Sequence, residues 1–93
     1  MKQYYVYILT NHSNSTLYIG VTNDIVRRTY EHTSNLNEGF AEKYKTYKLV
    51  YMEESKSIED ALRREKQLKK WSRAKKEALI NSINPQWNNL YKI

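Results

Sequence analysis

The sequence predicts an α+β domain in which a small three-stranded antiparallel sheet is flanked by helices, in the order β-β-α-β-α-α. Three observations support this prediction: two strand-like segments flank a turn-prone pentapeptide, a third such segment follows later, and three segments carry helical periodicity. The 93 residues are enough for one modest hydrophobic core, so residues 1–93 are expected to form a single domain.

The first two strands are expected to form a hairpin. Residues 4–9 (YYVYIL) and 17–21 (LYIGV) are rich in aromatic and branched side chains, which favour a pleated surface, and NHSNS between them favours a turn. If the turn sets Tyr7 roughly opposite Tyr18, alternation separates phenol groups from aliphatic ones. The predicted phenol face holds Tyr5, Tyr7, Leu9, Tyr18 and Gly20, and the predicted aliphatic face holds Val6, Ile8, Leu17, Ile19 and Val21.

The middle of the chain predicts a helix, a loop and the third strand. Thr22, Asn23 and Asp24 offer capping side chains ahead of a helix of about a dozen residues. The polar residues 37–46 are expected to form an irregular connection, and residues 47–53 (YKLVYME) the third strand. The core-facing stripe of that helix is predicted to hold Ile25, Thr29, His32 and Leu36.

Two further helices are predicted in the C-terminal half. Ser57 and Asp60 form a capping pair for the first, and Asn84 with Pro85 ends the second, which is expected over residues 72–83. The tail after Pro85 is expected to pack back onto the domain, because its aromatic side chains would otherwise be exposed. Predicted to face the core are Ile58, Ala61, Leu62 and Leu68 in the first helix, Ala74, Ala78, Leu79 and Ile83 in the second, and Trp87, Leu90 and Tyr91 in the tail.

The composition excludes several classes of site. Without cysteine there is neither a disulfide framework nor a thiolate metal site, and two histidines alone do not make a structural zinc site. No apolar run approaches the roughly 18 residues of a membrane span, and the N-terminus enters a strand pattern with no cleavage-site signature. The sequence therefore predicts a cytoplasmic protein with no membrane partner.

The positive charge is concentrated in one segment. Residues 63–77 (RREKQLKKWSRAKKE) hold eight Lys or Arg against two Glu, which equals the formal net charge of +6 of the whole chain. A concentrated basic face fits a polyanion partner, because neutralised phosphates release counterions. A helix that is merely solvated by its lysines explains the charge equally well.

Glu65 lies in the middle of an apolar stripe. On a helical wheel its carboxylate falls between Ala61 and Leu62, where an unpaired charge is costly. Lys69 lies on the same stripe four residues later and could form a salt bridge with it. From this helix alone, that salt bridge is favoured over a metal ligand.

Arg28 and His32 share one edge of the first predicted helix. Taken singly, His32 is more often a partly buried histidine bonded to a backbone carbonyl, and Arg28 more often the partner of an acid such as Asp24. Strand tyrosines, likewise, most often pack with a wet hydroxyl. The combination of a guanidinium, an imidazole, phenols and a buried carboxylate in one basic domain favours a catalytic site.

These residues resemble the motifs of the GIY-YIG nuclease superfamily. Tyr18-Ile19-Gly20 is a literal second half-motif, and Tyr5-Val6-Tyr7 stands where the first half-motif has Gly-Ile-Tyr. Val21 stands where some members have lysine. GVTNDIVRRTYEH resembles the family's next helix, ALRREKQLKKW resembles the helix with its metal-binding glutamate, and NPQWNNLY resembles the ending of small stand-alone bacterial members. The similarity covers nearly the whole chain.

The resemblance implies catalytic roles for five residues. Glu65 would hold one Mg²⁺ or Mn²⁺, and Arg28 would clamp the scissile phosphate through its planar fork. Tyr7 would serve as general base or water-orienting group, Tyr18 would orient the phosphate or that water, and His32 could relay a proton.

The implied function is metal-dependent hydrolysis of phosphodiester bonds, with DNA favoured and RNA as the alternative substrate, with structural or weak sequence selectivity and a role in repair or processing. A monomer or a weak homodimer is expected. The alternatives are a module of the same fold that binds nucleic acid without cutting it, and an interaction protein whose lysines only solvate a helix. Trp71 is expected in the core rather than as a stacking platform. Expected to contact nucleic acid are Arg63, Arg64, Lys66, Lys69, Lys70, Arg73, Lys75 and Lys76.

Overall fold

Three strands and three helices lie within the described residues, and they follow the predicted order. The computed structural model describes residues 3–30 in full, the backbone of 31–33, and residues 48–90. The predicted loop at 37–46, Leu36 and Tyr91 lie outside these residues. None of the helices formed within them is long and apolar enough to cross a membrane. The elements are β1 (Tyr4–Thr10), β2 (Leu17–Thr22), α1 (Ile25–Thr33), β3 (Lys48–Ser55), α2 (Ile58–Lys70) and α3 (Arg73–Ile83).

The sheet is antiparallel throughout, with β1 in the middle of the order β2-β1-β3, so the predicted fold class is confirmed. The hairpin closes at Thr10 opposite Leu17, which sets Tyr7 opposite Gly20. The expected pairing of Tyr7 with Tyr18 is therefore wrong by two residues. Because strand side chains alternate with a period of two, this shift leaves every side chain on its predicted face.

Both faces of the sheet are covered. On the aliphatic face, Val6, Ile8 and Ile19 form a core with Ala61 and Leu68 of α2 and Ile80 of α3. On the phenol face, Tyr7, Leu9 and Leu49 form a second cluster, against which Tyr18, Ile25 and Leu90 pack. The phenol face is thus a small core of its own rather than a wet surface.

Helix α2 begins as predicted but is rotated about its axis. Ser57 is its N-cap and accepts a hydrogen bond from the Asp60 backbone N–H. Ala61 and Leu68 are buried, whereas Ile58 and Leu62 are 36% and 47% exposed, so their predicted inward orientation is wrong. The side of α2 that carries Arg64 faces the sheet instead, because Arg64 forms an ion pair with Glu53 of β3.

Helix α3 also has its ends where the sequence predicts them, with Ser72 as N-cap, but of its predicted inner side only Leu79 packs against the core. Ala74, Ala78 and Ile83 are exposed, and Ile80 is the fully buried residue. The inward stripe contains polar residues at both ends: Arg73 donates to the hairpin turn, and Asn84 donates to a β3 carbonyl. Apolar periodicity cannot detect such a stripe.

The tail packs back onto the domain as expected. Trp87 packs against the core on the aliphatic face, and Leu90 packs against the cluster around Tyr7. Trp71, at the junction of α2 and α3, packs against the aliphatic-face core too, in agreement with the prediction for it.

Candidate active site

Tyr7 lies at the centre of the site, on the middle strand, and is 1% exposed. Its ring crosses the neighbouring strand directly over Gly20. A Cβ placed on Gly20 would stand 2.5 Å from the Tyr7 hydroxyl oxygen and 2.6 Å from Cζ, closer than real Cβ contacts. The glycine of the YIG tripeptide is therefore needed for a close approach by the phenol.

Tyr18 and Arg28 surround the same phenol. The Tyr7 and Tyr18 ring centroids are 6.2 Å apart, with planes tilted by 53°. Burial raises the pKa of Tyr7 to about 12, and a hydrogen bond from Arg28 opposes that rise while Tyr18 adds to it. Three of the five predicted catalytic residues are thus in direct contact, and Tyr7 holds its proton firmly.

Arg28 reaches this cluster because α1 begins at a well-defined cap. Asp24 Oδ1 accepts a hydrogen bond from the Arg27 backbone N–H at 3.1 Å, and the Asp24 backbone carbonyl accepts one from the Arg28 backbone N–H at 3.0 Å. The side chain of Thr22 accepts from the Asp24 backbone N–H and so fixes the entry to the helix. The predicted capping segment is confirmed.

A cleft of about 220 Å³ opens beside Arg28. Its lining includes Arg27, which is not among the site residues that the sequence predicts. The signal that could have identified Arg27 is its place in the first turn of a helix that starts at the end of a motif strand. The cleft is lined by Thr22, Asn23, Asp24, Arg27 and Arg28.

The two remaining motif positions can be described only in part. His32 lies four residues after Arg28 on α1, which is the predicted spacing. Tyr5 lies in regular strand β1, and its hydroxyl donates to Gln3 Oε1 at 3.2 Å. Among the non-glycine residues that the structure describes, a positive φ occurs at Asn14 and Trp87 and not at Tyr5. The backbone at Tyr5 therefore does not need glycine.

Glu65 lies on α2, one turn from the buried residues Ala61 and Leu68. Its side chain is 19% exposed, and Lys69 Nζ is 3.3 Å from Oε2, so the predicted salt bridge is present. Within residues 3–30 and 48–90, no group of three or more acidic, His or Cys side chains could hold a metal ion. One carboxylate is a sufficient protein donor for Mg²⁺, which retains several waters and binds substrate phosphate.

The eight basic residues of segment 63–77 divide into two sets. Four have a carboxylate partner within the domain: Arg63 with Asp60 at 2.9 Å, Arg64 with Glu53 at 3.1 Å, Lys69 with Glu65, and Arg73 with Glu77 at 2.8 Å. Arg73 also donates to the backbone carbonyls of Asn14 and Ser15. In the part of the chain that is described, no such ion pair involves Lys66, Lys70, Lys75 or Lys76.

Trp71 contacts one member of each set. The Arg64 guanidinium lies 5.2 Å from its ring centroid, and Lys75 Nζ lies 5.1 Å from the same centroid. Cations over an indole ring are attracted by its electron-rich face. The half-buried ring is thus already engaged by two cations.

Comparison with known proteins places the chain in a family. The model of the GIY-YIG catalytic domain matches residues 3–78. A UPF0213 protein of Syntrophus aciditrophicus (strain SB) is 41% identical over 87 residues, covering 92% of this chain and 98% of the relative. A UPF0213 protein of Natronomonas pharaonis is 36% identical over 77 residues, covering 83% and 89%.

A solved structure agrees with these sequence relatives. The solution NMR structure of a UPF0213 protein from Bacillus halodurans superimposes with a TM-score of 0.59 at 32% identity, covering 94% of this chain and 92% of that one. The match to the GIY-YIG domain model, residues 3–78, includes β1 with Tyr7, β2 with Tyr18, and the helices α1 and α2. The chain therefore belongs to the family of proteins built on the GIY-YIG catalytic domain, with small UPF0213 proteins among its relatives.

Proposed function

We propose that this protein is a metal-dependent endonuclease that hydrolyses phosphodiester bonds in DNA. The observation that supports this proposal most is the contact of Tyr7, Tyr18 and Arg28 beside an open cleft, in a chain that matches the GIY-YIG catalytic domain. Phosphodiester hydrolysis needs a positively charged group beside the equatorial phosphate oxygens, which carry negative charge in the transition state, and it needs an oriented water. This cluster has groups for both tasks.

Arg28 is the proposed phosphate clamp. Its planar fork can donate two hydrogen bonds to neighbouring phosphate oxygens, a geometry that lysine lacks. Arg27 lines the same cleft and would add a second guanidinium for a flanking phosphate. Both arginines follow the α1 N-terminus, whose dipole also favours an anion.

The two phenols are proposed to have different roles. With its pKa near 12, Tyr7 is deprotonated in only about one molecule in 10⁵ at neutral pH, so a role in orienting Arg28 and water fits it better than that of a resting general base. Tyr18 is less buried than Tyr7 and would orient the phosphate or the attacking water. His32, one helical turn beyond Arg28, would relay the proton.

Glu65 is the proposed metal ligand, with Mg²⁺ or Mn²⁺ as the ion. When bound, the ion would neutralise charge on the phosphate and lower the pKa of a coordinated water. Glu65 itself would supply one carboxylate oxygen and would have to exchange its contact with Lys69 for the ion. Lys69 is 55% exposed, so water can solvate its ammonium group when the ion displaces it, whereas Glu65, at 19% exposed, would keep a charged partner in the ion.

The nucleic-acid backbone is proposed to contact chiefly the four lysines for which the described residues supply no carboxylate partner. Lys66 and Lys70 are exposed and lie at i, i+4 on one face of α2. Lys75 and Lys76 follow at the start of α3. The other four basic residues of the segment would contribute less, because their charges are already balanced by carboxylates.

The substrate is proposed to be selected by shape more than by sequence. Two arginines and three small polar residues line the cleft, and none of the five has an aliphatic or aromatic side chain that would contact base edges. Action as a monomer or a weak homodimer on branched or otherwise distorted DNA, in cytoplasmic repair or processing, fits such a site.

A second candidate function is nucleic-acid binding without cleavage. Two observations favour it: Tyr7 retains its proton, and Glu65 is already paired with Lys69. This function predicts salt-dependent binding that is indifferent to metal.

One experiment separates the two functions. Labelled single-stranded, duplex and branched DNA, and RNA, are incubated with purified protein in Mg²⁺, Mn²⁺ or EDTA, beside Glu65→Gln and Lys69→Gln. The nuclease proposal expects cutting that needs metal, is lost in Glu65→Gln and survives in Lys69→Gln. Salt-dependent binding with no cutting under any condition would establish the binding module instead.

A further inference from the structure

Residues 84–90, here called the strap, connect the two faces of the sheet. The strap follows α3; its Trp87 packs on the aliphatic-face core and its Leu90 packs on the cluster around Tyr7. It therefore passes around the outer edge of β3, which is an edge strand. The match to the GIY-YIG domain model ends at residue 78, so the strap lies outside it.

The strap is hydrogen-bonded to β3 at Leu49. The Leu90 backbone N–H donates to the Leu49 carbonyl at 2.7 Å, and the Leu49 backbone N–H donates to Asn89 Oδ1 at 3.0 Å. Both polar groups of an edge-strand residue are thus satisfied by the strap rather than by water. Leu49 is itself a member of the cluster that contains Tyr7.

The other end of the strap is fixed by a buried amide. Asn84 is 5% exposed, and its Nδ2 donates to the Val50 carbonyl at 3.0 Å and to the Asn88 carbonyl at 2.9 Å. Val50 is the extra residue of a β-bulge, because Ile8 pairs with Tyr51 and Leu9 pairs with Leu49. Asn84 therefore bonds the start of the strap to the bulge residue Val50. The end of the strap is bonded to Leu49, so both attachments fix the position of Leu90.

We propose that the strap holds the tyrosine cluster in place, and that Leu90 is a positioning residue for Tyr7. Leu90 packs against the cluster from the β3 side of the sheet. On the β2 side, the Tyr7 phenol lies directly over Gly20. Without Leu90, water gains access to the cluster and the phenol is free to leave its place over Gly20. The consequence for cleavage rests on the proposed nuclease function, whereas the consequence for Tyr7 does not.

The test compares Leu90→Ala with Leu90→Met and with the control Ile83→Ala, a residue of α3 that is 57% exposed. Tyrosine ζ-carbon NMR signals are followed between about pH 8 and 11, with the Tyr7 signal assigned from Tyr7→Phe. In wild type, Leu90→Met and Ile83→Ala, the Tyr7 signal stays in its protonated position. In Leu90→Ala it begins to titrate, because exposure returns its pKa from about 12 toward 10.

Cleavage kinetics provide the second readout. Leu90→Ala lowers kcat about tenfold or more with little change in KM, because a small displacement of a catalytic group affects the chemical step. An unchanged Tyr7 titration in a folded Leu90→Ala protein overturns the proposal, even if that protein is less stable. If wild type does not cut any substrate, the nuclease function fails, and the NMR comparison still decides the role of the strap.

Discussion

The two faces of the sheet use their polar groups in different ways. On the aliphatic face, polar side chains lie around the rim and form ion pairs, such as Arg64 with Glu53 and Arg73 with Glu77. On the phenol face, polar groups lie inside the cluster, where Tyr7 is 1% exposed and in contact with Tyr18 and Arg28. The aliphatic face resembles an ordinary core. The phenol face combines packing with chemistry.

This difference indicates where a substitution should affect stability and where it should affect activity. A rim ion pair contributes modestly to folding and little to catalysis, whereas an enclosed polar cluster sets the positions of groups that act on a substrate. Four changes test the contrast, in order of decreasing expected effect.

Arg28→Ala should produce the largest effect. Loss of the guanidinium removes a preorganised donor to phosphate, and kcat/KM should fall by about 10²–10³. Arg28→Lys should recover little of it, because an ammonium lacks the planar fork. Initial rates on a labelled branched substrate measure both, with circular dichroism confirming the fold. Near-normal cutting by Arg28→Lys would show that Arg28 contributes charge alone.

Gly20→Ala should disturb stability and activity together. The new Cβ meets the far end of the Tyr7 ring, which has little room to move in a buried cluster, and overpacking of this kind costs about 1–3 kcal/mol. Urea unfolding measures that cost.

The matched control for Gly20→Ala is the same substitution in a Tyr7→Phe background. Without the hydroxyl the clash is smaller, so the cost should shrink, and a double-mutant cycle reports the coupling. Equal costs in both backgrounds would mean that the clash involves the ring carbons, of which Cζ is 2.6 Å away, and not the hydroxyl.

Alkaline pH should weaken the fold through Tyr7. Its pKa in the folded protein is about 12, above the ordinary value of 10, so the folded state binds this proton more tightly than the unfolded state does. Its contribution is present below pH 10 and is lost as the pH rises from 10 to 12, amounting to about 2 kcal/mol. The free energy of unfolding of Tyr7→Phe should therefore fall less steeply over that range.

Tyr51 provides the comparison from the aliphatic face. Burial and its hydrogen bond to Glu53 raise its pKa to about 12 as well. Tyr51→Phe should therefore give a similar change in pH dependence without a loss of cleavage, whereas Tyr7→Phe should affect both. Equal cleavage by the two variants would contradict a catalytic role for Tyr7.

Lys66→Gln should produce the smallest effect, and one confined to binding. The slope of log K against log salt for duplex DNA should fall by about 0.9, the value for one phosphate contact. Arg64→Gln, its matched control, should leave that slope unchanged and instead lower stability by about 1 kcal/mol, since it breaks a half-exposed pair with Glu53. Equal changes in slope would remove the distinction between free and paired cations.

The strands, the helix ends and the faces of the hairpin could be predicted from the sequence, because alternation and capping are local properties. The inner sides of α2 and α3 could not. Arg64, Arg73 and Asn84 turn inward by bonding to groups distant in sequence, and a wheel that counts apolar residues misassigns them. The family resemblance implied a shared site for Tyr7 and Arg28, whereas the burial of Tyr7 depends on Leu49 and Leu90, which no motif includes.

The positions of the two tryptophans have a consequence for how this protein is studied by fluorescence. Trp71 and Trp87 are the only tryptophans of the chain, and both pack against the aliphatic-face core. Their emission should follow the dissolution of that face and stay constant when only Tyr7, Tyr18 and Arg28 rearrange. A variant in which the contacts among Tyr7, Tyr18 and Arg28 are lost would therefore still give a native fluorescence melt. Unfolding can be followed both by tryptophan emission and by the Tyr7 NMR signal. A difference between the two curves would measure how independently the aliphatic face and the phenol face unfold.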